Sequence, residues 1–217
     1  MIPIQNIYYM LSYAFQVLNE QGYKNIATEQ FNNTGELMAA ILEKGIAIQL
    51  KRGLGKEYIL QTEALSSLRG KIDIAESIKT QSMLRKQLIC TYDEFSVNSI
   101  MNRIIKSTVE LLLRSNISKQ RKKNLRKLMV YFSEVDFIDL YTVNWNVQYN
   151  RNNQTYRMLI SICYLVVKGL LQTQSNGHTE LMDFLDEQRM CRLYEKFILE
   201  YYRKEFKNQF TANASQI

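Results

Sequence analysis

One proline and eight glycines in 217 residues leave this chain well short of the roughly 5% and 7% usual for those residues. That shortage excludes collagen-like, proline-rich and linker-dominated chains and leans the reading towards helix. Cysteine is scarce as well. Cys90, Cys163 and Cys191 are odd in number, far apart and in no metal-ligand spacing, so neither a disulfide framework nor a zinc site is expected, and a reducing cytoplasm fits. A long apolar run is also missing. Met158 to Leu171 comes nearest, but Ser161, Lys168 and Gly169 interrupt it and it falls short of the roughly 20 residues that a membrane span needs. It reads as a buried core helix. No basic segment followed by a plain apolar stretch opens the chain, so no signal peptide is expected.

What is present suits a globular chain: 46% hydrophobic and 23% charged residues, enough for one large domain, or one domain plus a fragment, with a real core. The formal net charge of +7 is unevenly placed. Residues 1–60 balance and residues 131–217 nearly so, whereas residues 61–130 carry fourteen Lys/Arg against six Asp/Glu. The excess peaks at Lys119, Arg121, Lys122, Lys123, Arg126 and Lys127. Such a cluster can neutralise phosphates or meet an acidic partner surface, and it can equally be a solvated helix face.

Periodicity organises the rest. Pro3 suits a first helical turn, and Ile4, Ile7, Tyr8, Leu11, Phe15 and Leu18 follow at helical spacing. A second helix starts at Thr34 and stops near Gly53 and Gly55. Residues 58–62 and 71–74 then read as short strands around a Ser66–Ser67 turn, and 88–92 as a third. Ser96 or Asn98 opens a helix with Val97, Met101, Ile104, Ile105, Thr108 and Leu112 on one face, and with Asn102, Arg103, Lys106 and Glu110 pointing elsewhere. A basic helix over 118–132, a buried helix over 155–171 and a last helix carrying Met190, Leu193, Tyr194, Phe197, Ile198 and Tyr201 inward complete the reading. The predicted fold is α+β and helix-dominated, with a small antiparallel sheet around residues 56–92.

Catalytic chemistry is hard to find in these residues. Gly53-Leu54-Gly55-Lys56-Glu57 resembles the end of a phosphate-binding loop but has Leu50 for the first glycine and Glu57 for the hydroxyl that would hold Mg²⁺. A helix C-cap explains it better. His178 is the one histidine, in a loop, with no nucleophile motif to serve. Metal-dependent nucleases use an Asp and a later Asp/Glu-x-Lys. Here Glu205-Phe206-Lys207 alone has that spacing, at the end of a helix where residues two apart do not face each other. The clusters Asp93/Glu94, Asp136/Asp139 and Asp183/Asp186/Glu187 read as caps and surface charge. No catalytic or metal-ligating residue is assigned.

Seven blocks in order carry a family resemblance. They are Ile2-Pro3-Ile4-Gln5-Asn6-Ile7-Tyr8-Tyr9-Met10-Leu11-Ser12-Tyr13-Ala14, Lys44-Gly45, Arg52-Gly53-Leu54 and Leu68-Arg69-Gly70-Lys71-Ile72-Asp73, followed by Thr91-Tyr92-Asp93-Glu94-Phe95, Asn102-Arg103-Ile104-Ile105-Lys106-Ser107-Thr108 and Met190-Cys191-Arg192-Leu193-Tyr194-Glu195-Lys196-Phe197. Together they resemble the McrC family, the nuclease subunits of McrBC modification-dependent (5-methylcytosine) restriction systems. Gln5 replaces a usual Arg and Asn98 a common Asp. In that family the nuclease core follows the Leu-Tyr-Glu-x-Phe helix, with a Thr-Asp-Ile strand and then an Asp-Ala-Lys strand. Neither occurs before Ile217.

The resemblance implies a division of the chain. Residues 1–185 correspond to the region that engages the McrB partner, an AAA+ GTPase hexamer that translocates on DNA. Residues 186–217 correspond to the start of a PD-(D/E)xK-type nuclease domain whose catalytic strands are missing. It implies no cofactor in these residues, Mg²⁺ for the nuclease core and GTP–Mg²⁺ on the partner, in a bacterial cytoplasm with no membrane contact. Arg52, Arg69 and Lys71 are the candidates for stimulating GTP hydrolysis, since a cation at a partner's nucleotide stabilises phosphoryl-transfer charge. The 119–127 cluster is the candidate for partner or DNA contact. The alternatives are a DNA-backbone-binding module, a nuclease acting with its partner, and a truncated product with no role of its own.

Overall fold

The computed structural model describes residues 4–15, 18, 23–149, 153–173, 187–207, 211 and 213. Pro3, His178, Asp183 and Asp186 lie outside the described residues, as do the side chains of Glu187, Met190, Cys191 and Leu193. Among the described residues seven α-helices form a body, and a three-stranded sheet with one further short helix projects from it.

The body is built where apolar residues recur at helical spacing. Helix α1 (Ile4–Ala14) buries Ile7, Met10, Leu11 and Ala14. After the short α2 (Lys24–Thr28), α3 runs Thr34–Arg52. Its N-cap is Asn33, one residue earlier than the sequence suggests, whose side chain accepts from the Glu36 N–H at 2.8 Å. Its end is Gly53, at φ +88°, as the glycine pattern predicts. Helix α5 (Ile100–Arg114) is capped by Ser99, rather than Ser96 or Asn98, and α6 (Lys119–Met129) by Ser118. A 3₁₀ turn, Val130–Phe132, extends α6.

Helix α7 (Gln154–Thr173) is the axis of the body and packs against both α3 and α5. Met158, Leu159, Ile162, Cys163 and Val167 are fully buried on it, each large aliphatic contributing about 1.5–3 kcal/mol on transfer from water. Helix α8 (Glu187–Glu205) lies along α1, and α6 lies against α3. No helix among the described residues is long and apolar enough to cross a membrane.

The sheet consists of β1 (Glu57–Leu65), β2 (Lys71–Asp73) and β3 (Leu88–Ser96). All three predicted strands form, but β1 and β2 do not pair across the Ser66–Ser67 turn. The order is β1-β3-β2, with β3 antiparallel to both neighbours. Glu57 pairs with Ser96 and Leu65 with Leu88 on one side, and Lys71 with Thr91 on the other. Helix α4 (Ile74–Lys79), capped by Asp73, and a 3₁₀ turn at Ser82–Arg85 fill the excursion between β2 and β3. The hydrophobic core runs through Leu54 and resumes at Val97, and among the described residues none between them joins it. Residues 57–96 are an arm, not a layer of the body.

Candidate functional site: the projecting arm and the basic helix

The arm is fastened at its base by a buried polar clasp. The Gly55 N–H donates to the Tyr156 hydroxyl at 2.7 Å, and that hydroxyl donates to Asn102 Oδ1 at 2.6 Å. Asn102 Nδ2 donates to the carbonyls of Gly55 at 2.9 Å and Val97 at 2.7 Å. One side chain from α5 and one from α7 therefore hold both the strand entering the arm and the strand leaving it. Asn102, expected to point away from the apolar face, is fully buried. Its amide has both donor and acceptor engaged, which is what permits its burial. Burial pushes the Tyr156 phenol up, its bonds to Gly55 and Asn102 notwithstanding.

Beyond the clasp, one face of the sheet carries side chains without a covering layer, whereas on the other Cys90 is fully buried and Tyr92 lies under Arg69. Directly paired residues in an antiparallel sheet share a face. Tyr58 with Phe95, Leu60 with Asp93, and Thr62 with Thr91 and Lys71 therefore line one side. Tyr58 is 75% exposed, Leu60 67% and Phe95 55%, the two rings lie 5.0 Å apart, and the Lys56 ammonium stands 5.8 Å from the Phe95 ring. On the α4 side Ile74, Ile78, Met83 and Leu84 are also exposed. Exposed apolar residues this close together mark an interaction surface.

The three candidate cations occupy different places. Arg69 lies flat over Tyr92, its guanidinium 4.1 Å from the ring centroid. Tyr92 alternates with Thr91, so Arg69 covers the face opposite to Lys71. Tyr92 donates its hydroxyl to Glu63, whose carboxylate pushes the phenol up. Between them Gly70 stands at φ +66°, and a Cβ there would come 2.3 Å from the Thr91 carbonyl oxygen. The Arg69-Gly70-Lys71 turn is thus a tight fit against β3 that needs glycine at its centre. Arg52 is not on the arm: at the end of α3, its Nη1 donates to Thr155 Oγ1 at 3.2 Å.

The basic helix α6 splits into two faces. Lys119, Lys123, Arg126 and Lys127 are exposed and Lys122 half-buried. Arg121 departs from the expectation for the cluster. It turns inward to Glu43 at 2.9 Å, to Glu29, and to Glu36 at 3.7 Å, and its side chain is 14% exposed. Desolvation opposes the guanidinium charge, but Glu43 and Glu29 overcome it and hold the group above its ordinary range. Arg121 joins α6 to α3 and is withdrawn from any partner.

No three His, Cys, Asp or Glu side chains among the described residues group to hold a metal. Glu205 accepts from the Tyr13 hydroxyl at 2.9 Å, so Glu205-x-Lys207 is a helix end tied to α1 and does not fit a Mg²⁺ centre. Neither the exposed arm nor the Asn102–Tyr156 clasp follows from the periodicity of the sequence. The available signal for the arm was Tyr58, Leu60 and Phe95 in strands with no second apolar layer to cover them.

Comparison with known proteins agrees with this geometry. The family model described as "McrBC 5-methylcytosine restriction system component" matches residues 5–217. The chain is 29% identical over 216 residues to the type IV methyl-directed restriction enzyme EcoKMcrBC of Escherichia coli K12, covering 98% of this chain and 62% of that protein. The fold is similar to a chain in the cryo-EM structure of the Thermococcus gammatolerans McrBC complex, with TM-score 0.63 and 21% identity over 99% of this chain and 60% of that one. It is also similar to one in a half-complex of T. gammatolerans McrB AAA+ hexamers with bound McrC, at TM-score 0.56 and 21% identity over 88% and 46%. These 217 residues thus span about three fifths of the curated relative's length, and with a match over nearly its whole extent the chain belongs to the McrBC family of 5-methylcytosine restriction system components.

Proposed function

We propose that this chain is the McrC-like subunit of a modification-dependent restriction system and that its arm docks onto a McrB-type AAA+ GTPase ring and stimulates GTP hydrolysis. The observation that carries the reading is the arm itself. It stands outside the core, exposes Tyr58, Leu60 and Phe95, and is held at its base by the Asn102–Tyr156 clasp. A similar chain occurs bound to McrB AAA+ hexamers. Arg69 and Lys71 reach the partner from opposite faces of the arm, and Arg52 sits at its root. The nucleotide and its Mg²⁺ belong to the partner. Residues 1–185 form the docking region and α8 opens the nuclease domain, whose metal-binding strands are not among these residues. The system works in the bacterial cytoplasm.

The exposed face of α6 supports a second contact, with the phosphate backbone of the DNA handled by the complex. Lys119, Lys123 and Arg126 or Lys127 recur at three- to four-residue spacing, a stripe of like charge along one side of a helix. Mixing the chain with its cognate McrB-type GTPase tests the main reading. GTP turnover should rise with added chain and saturate. No stimulation at saturating concentration sinks it.

A further inference from the structure

Away from the arm and the basic helix, a cleft of about 500 Å³ lies between Phe15, the 145–149 segment, α7 and α8. That volume is in the range of small-molecule sites, roughly 300–1,000 Å³. Its walls are aromatic: Phe15, Trp145, Tyr149 and Tyr164 line it, with Trp145 and Tyr164 edge-to-face at 5.3 Å. Its charged groups are two cations, Arg157 and Lys196.

These cations lack the partners that Arg121 has. Among the described residues neither Arg157 nor Lys196 forms an ion pair. Lys196 rests on the Phe15 ring, its ammonium 3.9 Å from the centroid. Burial and the charge of Arg157 push it down to about 8. Glu200, one turn along α8, acts in the other direction but gives its oxygen to Arg203 at 2.9 Å. Two like charges at one cleft repel each other until an anion joins them. Flat walls beside paired cations suit a ligand that is a ring at one end and an anion at the other.

We propose that this cleft binds a nucleoside phosphate, with the base against Trp145 and Tyr164 and the phosphate between Arg157 and Lys196. The same chemistry is offered by a free nucleotide and by one residue of a single strand.

Trp145 is the chain's one tryptophan, so intrinsic fluorescence reports on this cleft. Titrating the full chain with dCMP should quench it saturably, while inorganic phosphate or deoxycytidine alone should quench less at equal concentration. Arg157→Gln and Lys196→Gln should each weaken dCMP binding about tenfold, as loss of one charged contact does. Arg157 is exposed, so its variant keeps the fold and the test holds even if Lys196→Gln does not. A short single-stranded oligodeoxynucleotide run in parallel separates the sources. Binding tenfold tighter than dCMP assigns a strand, and equal binding assigns the free nucleotide. The Arg157 dependence distinguishes this from contact at α6. Absence of saturable quenching by either ligand up to about 10 mM, or quenching unchanged by Arg157→Gln, overturns the proposal.

Discussion

The Tyr156 hydroxyl donates to the Asn102 side-chain oxygen at 2.6 Å while accepting from the backbone of Gly55. This single relationship joins the two central helices of the body to the root of the arm. Its position makes the arm's direction, not its internal structure, depend on two buried polar side chains.

Tyr156→Phe should therefore separate stability from stimulation. The change strands the Gly55 N–H and the Asn102 carbonyl in a buried site, a penalty of about 1–3 kcal/mol, or roughly 2–4 °C in Tm for each kcal/mol at this size. The variant should remain folded, and its half-maximal concentration for GTPase stimulation should rise because the arm's root is loosened. Thermal melts and GTP turnover measured on one preparation check both halves. A variant that melts earlier but stimulates at the wild-type concentration would show that the clasp serves the body alone.

Gly70→Ala and Gly53→Ala form a second contrast. Both glycines have positive φ, but the space around them differs: a Cβ at Gly53 meets nothing within 4 Å, and one at Gly70 meets Thr91 and Tyr92 backbone under 3 Å away. Gly53→Ala should cost about 1 kcal/mol of stability and little stimulation. Gly70→Ala should displace the Arg69–Lys71 turn from β3 and abolish most stimulation, with the body's melting temperature nearly unchanged because the arm lies outside the core. Equal effects of the two on GTP turnover would remove this turn from the docking surface.

Much of this was legible in the residues. Apolar spacing placed α1, α3, α5 and α7, and β-branched and aromatic runs placed all three strands. Two things are not legible, for physical reasons, and a third is legible only in its spacing. Its polarity points Asn102 outward, whereas a buried amide is stable wherever two carbonyls and a hydroxyl converge on it, and that convergence exists only in the folded chain. Likewise, β3 lies between β1 and β2 through pairing of distant segments that no local pattern records. Arg121 was absorbed into a charge run, although its spacing carried a signal: it stands four residues before Leu125 and seven before Leu128, on the buried stripe. Glu36 and Glu43, two turns apart on α3, offered the matching face.

That division of α6 gives a third prediction. Arg121→Ala removes the cation facing Glu36 and Glu43, which are 12% and 22% exposed. Breaking a fully buried pair costs about 3–5 kcal/mol, and the partial exposure here reduces this to about 2–3. Lys123→Ala, Arg126→Ala and Lys127→Ala should each change stability by less than about 0.5 kcal/mol. If α6 follows a phosphate backbone, each of those three should flatten the dependence of DNA affinity on salt by roughly one charge. Melts and gel-shift titrations over a salt series check the two faces separately. A steep salt dependence that survives the triple variant locates DNA contact elsewhere.

Lys196 makes stability depend on pH in a direction that can be worked out. Burial and Arg157 lower it from 10.5 to about 8, so between these values the unfolded chain holds a proton that the folded chain has released. Stability then rises with pH across that window. The contribution is fully present above 10.5 and lost as pH falls through 8. Lys196→Met, which keeps the length of the side chain without its charge, should melt higher than the parent at pH 7, by a difference on the order of 1 kcal/mol once solvent screening is allowed for. At pH 10 that advantage should have largely disappeared. Other groups titrate in both proteins and cancel in the difference. Saturating dCMP should also shrink the pH 7 gap, because a bound phosphate replaces the missing counter-charge in the parent and finds no ammonium in the variant. A gap that stays constant from pH 7 to 10 would mean that Lys196 keeps its ordinary proton affinity in the fold.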